Sequence, residues 1–200
     1  MTLKVAYFQP IIVAAAPVPP ADFVKIYNLT EAVHSQTTDQ EIQLYPNETG
    51  IDYSWIVTLI EEMCKGYMDL VSTQSVTKDL DYCNPKVVNI RTVRQFSSDY
   101  MEMHTHPAGN LSGHIYTSVP EYDPGKKPTD GTLLLRLPQT RDLTRFIMQD
   151  TWKFQPEPGT FVLFPSHIPH SVSPWHGQGH RTLLAFDVIL VAKDIANGQS

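Results

Sequence analysis

Cysteine is nearly absent from this chain: Cys64 and Cys83 are the only two in 200 residues. They are too few and too far apart for a disulfide framework or a zinc ribbon, which makes a reducing cytoplasm the expected compartment. Basic residues are scarce as well, with 15 Lys and Arg against 21 Asp and Glu and a formal net charge of −6. They are also scattered, so the charge pattern argues against a nucleic-acid partner. No apolar run reaches membrane-spanning length, and no membrane partner is expected. Lys4, an apolar run and Ala14-Ala15-Ala16-Pro17 faintly outline a signal peptide. Gln9-Pro10 interrupts that outline, and a short buried strand from Ile11 to Ala15 is expected instead. No internal repeat or low-complexity segment is present.

Proline, by contrast, is plentiful: 16 residues, which favours many loops and short elements over long helices. The length suits one domain with a sizeable core. Pro19-Pro20-Ala-Asp22 marks a helix start, followed by Phe23, Ile26, Tyr27 and Ala32-Val33 at helical spacing. Residues 36–50 are polar and turn-rich and are expected to form a surface loop. A second helix is predicted from Ile51 to Ser72, with Trp55, Leu59, Met63, Tyr67 and Leu70 as its buried stripe. From Pro85 the texture changes to short β-rich segments. Strands are predicted at Lys86–Phe96, Tyr100–His106, Leu111–Val119, Thr132–Leu137, Thr151–Phe154, Thr160–Pro165, His170–Ser173 and Arg181–Val191. The expected organisation is one mostly β (α+β) domain. An N-terminal strand and bracing helices (1–84) precede a sandwich or barrel core (85–191) and a short tail (192–200).

The chemistry concentrates in Met103–Tyr116. His104 and His106 are spaced by one residue, so on an extended strand both imidazoles leave the same face. His170 stands in a second dense segment, GTFVLFPSHIPHSVSP. Three neutral imidazoles converging inside a barrel mouth would hold Fe(II), Ni(II), Cu(II) or Zn(II). The other histidines have plainer readings. His34 closes a helix and is expected to be solvated. His114 is either a hydrogen-bonded core residue or a partner of a ligand. His167 shapes a loop, and His176 and His180 flank an exposed Gly-Gln-Gly turn.

The run HTHPAGNLSGHIYTSVP, then GTLLLRLP, EPGTFVLFPSHIPHSVSP and R-T-L-L-A-F-D, resembles the 2-oxoglutarate/Fe(II)-dependent oxygenase superfamily. Within it, the H-x-H-P…SG-x-x-Y and LFPS…H motifs are similar to a small oxygenase family typical of marine bacteria and phages. The resemblance spans roughly residues 85–190 and implies a double-stranded β-helix, or jelly roll. It implies Fe(II), 2-oxoglutarate as co-substrate, O2, and oxidation of a further substrate, normally by hydroxylation. His104 resembles the first iron ligand and His170 the distal one. His106 stands where the superfamily usually has an aspartate, in a facial triad of two histidines and one carboxylate. Glu102, in parity with His104, is the alternative third ligand. Arg181 follows His170 at the separation at which the superfamily places a basic residue, and its guanidinium suits the far carboxylate of 2-oxoglutarate. The plainer reading of Arg181 is an exposed strand arginine. The superfamily's hydroxyl two residues later is replaced by Leu183, and Tyr116, in parity with Ser112 and His114, could supply one. Asn89, Arg91 and Arg94 are candidates for holding the substrate.

Two other classes share parts of this pattern. Gly159, Pro165 and His170 approximate the second cupin motif, G-x5-P-x4-H, and H-x-H the core of the first. A three-histidine cupin-type dioxygenase independent of 2-oxoglutarate would carry them, although Asn110 and Leu111 stand where that motif has glutamate. A non-catalytic jelly-roll binding module would carry them too. The expected partner is a small-molecule, amino-acid or peptide substrate, and a homodimer is left open.

Overall fold

The computed structural model describes residues 13–46, 51–74, 79–120, 131–136 and 151–193. Two antiparallel sheets face each other across an apolar interior, and two helices cover the outer face of the larger one. The larger sheet has six strands: β1 (Ala14–Pro17), β2 (Glu41–Tyr45), β3 (Cys83–Phe96), β5 (Leu111–Ser118), β8 (Thr160–Pro165) and β10 (His180–Ala192). Their spatial order is β1-β8-β5-β10-β3-β2. The smaller sheet, in the order β4-β9-β6-β7, is built from β4 (Met101–His104), β6 (Leu133–Arg136), β7 (Thr151–Phe154) and β9 (His170–Val172). This is the jelly-roll arrangement the sequence implies.

Alternation along the long central strand β10 explains the layering. Leu184, Phe186 and Val188 point to the helices and pack with Ile26, Ile56 and Ile60. Leu183 and Ala185, one residue out of phase, pack between the sheets with Val93, Tyr116, Val162 and Phe164. Gly113 lies opposite Phe186 in the β5–β10 register. A Cβ there would overlap the Phe186 ring and come within 2.8 Å of the Val162 carbonyl oxygen, so only glycine leaves room for that ring.

Helix α1 spans Pro20–His34 and α2 spans Ser54–Gln74. Proline at the start of α1 costs nothing, because the first backbone N–H groups of a helix lack intrahelical acceptors. The predicted stripe of α2 is displaced. Ile56, Ile60, Cys64, Tyr67 and Met68 are buried, whereas Leu70 is 41 % exposed. Trp55, Leu59 and Met63 only flank that core. The large side chains at i, i+4, i+8 are a neighbouring row of the same broad apolar face, and the smaller Ile-Ile-Cys row fits closer to the sheet.

Two further expectations are corrected. The loop 36–50 contains β2, which pairs with β3 from Glu41↔Val93 to Tyr45↔Ile90. A polar edge strand exposes one face, so its composition reads as loop. The N-terminal strand lies at Ala14–Pro17 and only alternate residues are partly buried; Ile11 and Ile12 are outside the described residues. So are Leu137, the loop 121–130 and residues 194–200 of the tail. No helix among the described residues is long and apolar enough to cross a membrane.

Candidate metal centre

His104 and His170 are direct partners in the register of β4 with β9, so the smaller sheet itself sets their side chains together. His106 lies beyond the end of β4, not within it as predicted. Its backbone N–H donates to the Ser166 carbonyl at 3.0 Å, which returns the chain to the same place. The ring centroids of His104 and His170 are 4.3 Å apart and those of His106 and His170 5.0 Å. One nitrogen from each of the three histidines falls within 4.8 Å of the others.

Hydrogen bonding assigns the tautomers. Nδ1 of His104 donates to the Glu102 carbonyl oxygen (2.7 Å) and Nδ1 of His170 to the Ile168 carbonyl oxygen (3.0 Å). Nδ1 of His106 donates to Oδ1 of Asp187 at 2.5 Å. A carbonyl or an ionised carboxylate only accepts, so each Nδ1 carries the proton and each Nε2 presents a lone pair. The three lone pairs converge. Nε2 of His104 and His106 are 3.1 Å apart, and Nε2 of His170 is buried without a partner. Ligands about 2.1 Å from one cation at right angles sit about 3.0 Å apart, so the His104–His106 spacing suits a cation. Burial pushes the His170 pKa down to about 4, with His104 and His106 adding to it against the bond to Ile168. The ring therefore stays neutral at physiological pH.

Sequence reasoning passed over Asp187. Its Oδ1 accepts from His106 and from the Ser112 hydroxyl (2.7 Å). Its Oδ2 accepts from Asn89 Nδ2 (3.0 Å) and Arg91 Nη1 (3.1 Å). Burial opposes ionisation here. The hydrogen bond from His106, and then those from Ser112 and Asn89, outweigh it and hold the carboxyl well below the usual carboxylate range. The signal was present in the sequence: parity along R-T-L-L-A-F-D puts Asp187 on the face of Arg181. Glu102 offers its carbonyl to His104 and has an exposed side chain.

The remaining site candidates divide by face. Asn89 and Arg91 point inward to Asp187, and Arg91 also pairs with Glu41 at 3.2 Å. Arg94 points the other way, to Glu31 on α1 (2.6 Å) and to Thr182. Arg181 is 1 % exposed, not a surface arginine, and donates to Gln95 Oε1 and to the Gly131 carbonyl. Tyr116 is likewise buried, opposite Leu183 on the neighbouring strand, and its ring stacks on Phe154. His114 faces the same interior, its ring 6.1 Å from that of His170, with Nδ1 buried and unpartnered. A cleft of about 230 Å³ opens beside Val93, Gln95, Tyr100 and Met101, next to the partner of Arg181 and away from the histidines. The convergent lone pairs mark the chemical centre better than this opening does.

Two plain readings of histidines fail. His34 is buried, with Nε2 3.1 Å from Thr92 Oγ1, because α1 packs its last turn on the sheet. His180 opens β10 instead of lying on an exposed turn, and its ring meets the Phe96 ring edge-on.

A family model described as "Putative 2OG-Fe(II) oxygenase" matches residues 90–187, a stretch that holds all three histidines, Arg181 and Asp187. Across that stretch, about half of the chain, the sequence matches a 2-oxoglutarate/Fe(II)-dependent oxygenase family. Solved structures of low identity share the superfamily's fold with it. A 2OG-Fe(II) oxygenase family oxidoreductase from Burkholderia pseudomallei is 13 % identical with a TM-score of 0.57, covering 88 % of this chain and 84 % of its own. The viral collagen prolyl hydroxylase of Paramecium bursaria Chlorella virus-1 is 11 % identical with a TM-score of 0.54 and coverages of 94 % and 97 %. HygX from Streptomyces hygroscopicus, solved with nickel and 2-oxoglutarate bound, is 10 % identical with a TM-score of 0.55 and coverages of 92 % and 84 %. No curated protein matches the sequence. For this oxygenase, the family match favours the reading with 2-oxoglutarate over both the cupin-type enzyme and the binding module.

Proposed function

We propose that this oxygenase is a hydroxylase that holds Fe(II) on His104, His106 and His170 and couples decarboxylation of 2-oxoglutarate to oxidation of a small-molecule, amino-acid or peptide substrate. The observation that carries the reading is the convergence of three Nε2 atoms, each on a ring whose Nδ1 is engaged by a carbonyl or carboxylate oxygen. Bound Fe(II), with 2-oxoglutarate and O2, supplies the oxidising chemistry. The chain's own part is to position and to exclude water. His104 and His170 are fixed by the β4–β9 register, and the apolar shell of Leu135, Phe164, Ile168 and Val172 closes the interior around them.

Arg181 is the anchor for the far carboxylate of 2-oxoglutarate, and Tyr116, opposite Leu183 on the neighbouring strand, supplies a hydroxyl to the same co-substrate. Gln95 and the Gly131 carbonyl hold the guanidinium in place from the side of the sheet. Asn89 and Arg91 lie near the histidines on the inner face; because Asp187 engages both, they reach a substrate only with the donors left over. Elemental analysis of protein purified anaerobically, with succinate release from 2-oxoglutarate as the assay, tests the reading. One Fe(II) per chain and 2-oxoglutarate-dependent succinate are expected. Metal binding with no response to 2-oxoglutarate would return the protein to the cupin-type class.

A further inference from the structure

Replacing the superfamily's aspartate by His106 removes one negative charge from the ligand set. That loss would weaken a neutral three-histidine site for a divalent cation. Asp187 lies one hydrogen bond behind it. We propose that Asp187 is a positioning residue that restores the displaced carboxylate to the centre through His106, locking the ring with Nε2 toward the metal and lending it negative charge. The inference rests on the metal-site reading given above.

Four observations support it. His106 Nδ1 hydrogen-bonds directly to Asp187 Oδ1, and a bond to an ionised carboxylate is stronger than one to a neutral carbonyl. Oxygen Oδ1 also accepts from Ser112 and Oδ2 from Asn89 and Arg91, so four donors face the carboxylate. A carboxyl group surrounded by donors has no acceptor for a proton of its own and stands as the anion. Both side chains are nearly enclosed, each 9 % exposed, so water does not screen the pair. Finally, the main chain builds the bracket. Asp187 is registered with Asn89 on one side and with Ser112 on the other, and the Ser112 hydroxyl is braced at 2.8 Å by Ser166, whose carbonyl holds the His106 backbone. His104 and His170 point their Nδ1 protons at neutral carbonyls. Among the three, His106 alone has an anion behind it. An imidazole donating to a carboxylate is a stronger base at its other nitrogen, and removing such a partner characteristically weakens metal binding about 10–100-fold.

The charge relation gives a specific test with Co(II) as the probe, read by its visible absorption and by calorimetry in place of turnover. Asp187→Asn should weaken Co(II) binding about 10–100-fold. His106→Asp should also bind weakly, because it sets a second carboxylate against Asp187. The double variant His106→Asp/Asp187→Asn removes the repulsion and should bind more tightly than His106→Asp alone. A purely structural role for Asp187 predicts that the second substitution adds damage instead. Circular dichroism confirms that each variant is folded. The parent protein provides a check that does not depend on refolding: nitrogen-15 spectra with Zn(II) should show His106 bound through Nε2 with Nδ1 protonated. His170→Ala separates the two levels. If it loses Co(II) while Asp187→Asn binds like the parent, the role of Asp187 is refuted and the metal site stands. If His170→Ala binds like the parent, both fall.

Discussion

The two faces of β10 are built from the same strand and do opposite work. Toward the helices, Leu184, Phe186 and Val188 are buried, and their contacts are those of an ordinary core. Toward the other sheet, Arg181 and Asp187 bracket Leu183 and Ala185, and both charged groups are buried with fixed partners. Buried charges are costly unless hydrogen-bonded, so the inner face bears a cost that the outer face avoids. The comparison teaches where stability and chemistry reside: period-two alternation lets one strand separate them by a single residue.

Substitutions on the two faces should therefore fail differently. The largest effect is expected on the inner face. His170→Ala removes a ligand fixed opposite His104, and should lose most of the Fe(II) and all 2-oxoglutarate-dependent succinate while the melting curve of the metal-free protein changes little. Retention of full metal by elemental analysis would contradict this. On the outer face, Phe186→Ala leaves a hole over Gly113, and large aromatic truncations in cores cost about 3–5 kcal/mol. Urea unfolding should register that loss. Whatever fraction remains folded should bind Co(II) with parental affinity, and a changed affinity would show that the faces are coupled.

A smaller effect is expected at the far end of the inner face. Arg181→Ala removes a charged hydrogen-bonding fork worth about 1.5–3 kcal/mol, so the apparent KM for 2-oxoglutarate should rise at least about tenfold with metal content intact. An unchanged KM would move the anchor to Arg91. The smallest effect concerns the helix side. Burial, and then Arg94, lower the pKa of His34 from its ordinary 6.5. The unfolded chain then takes up the proton more readily than the folded one. Its contribution to stability is present above about pH 6.5 and is lost as pH falls through that value toward the lowered folded pKa. His34→Gln should flatten this part of the stability profile, measured by denaturant unfolding at a series of pH values.

The core strands were legible because each is short, alternating and bounded by turn residues; β7 and β8 fall where the pattern puts them. The pairing of His104 with His170 was not legible, since register between strands far apart in the chain follows from packing that no local pattern records. Strand β2 was hidden because an edge strand needs only one apolar face, and Ile42 and Leu44 alone hint at it among polar neighbours. His34 was misread for a related reason. A polar residue at a helix end is usually solvated, and only the docking of α1 on Thr92 buries it. Asp187 was readable in principle, as the one acid in an apolar strand, but its meaning depends on His106 standing where an acid was expected.

The place of β10 in the sheet has a consequence for how the chain is made. It is the last strand in order of synthesis among those described, yet it lies between β5 and β3 and hydrogen-bonds to both. Until it emerges, the nascent sheet has a gap at its centre, flanked by two open edges of the kind that recruit other chains. The same strand brings Arg181 and Asp187, so the half-made barrel lacks these two buried charges. Assembly of the fold and assembly of the site are thus completed by one event, insertion of this strand, and a ribosome-bound chain that stops short of His180 would have histidines but no finished pocket to hold them.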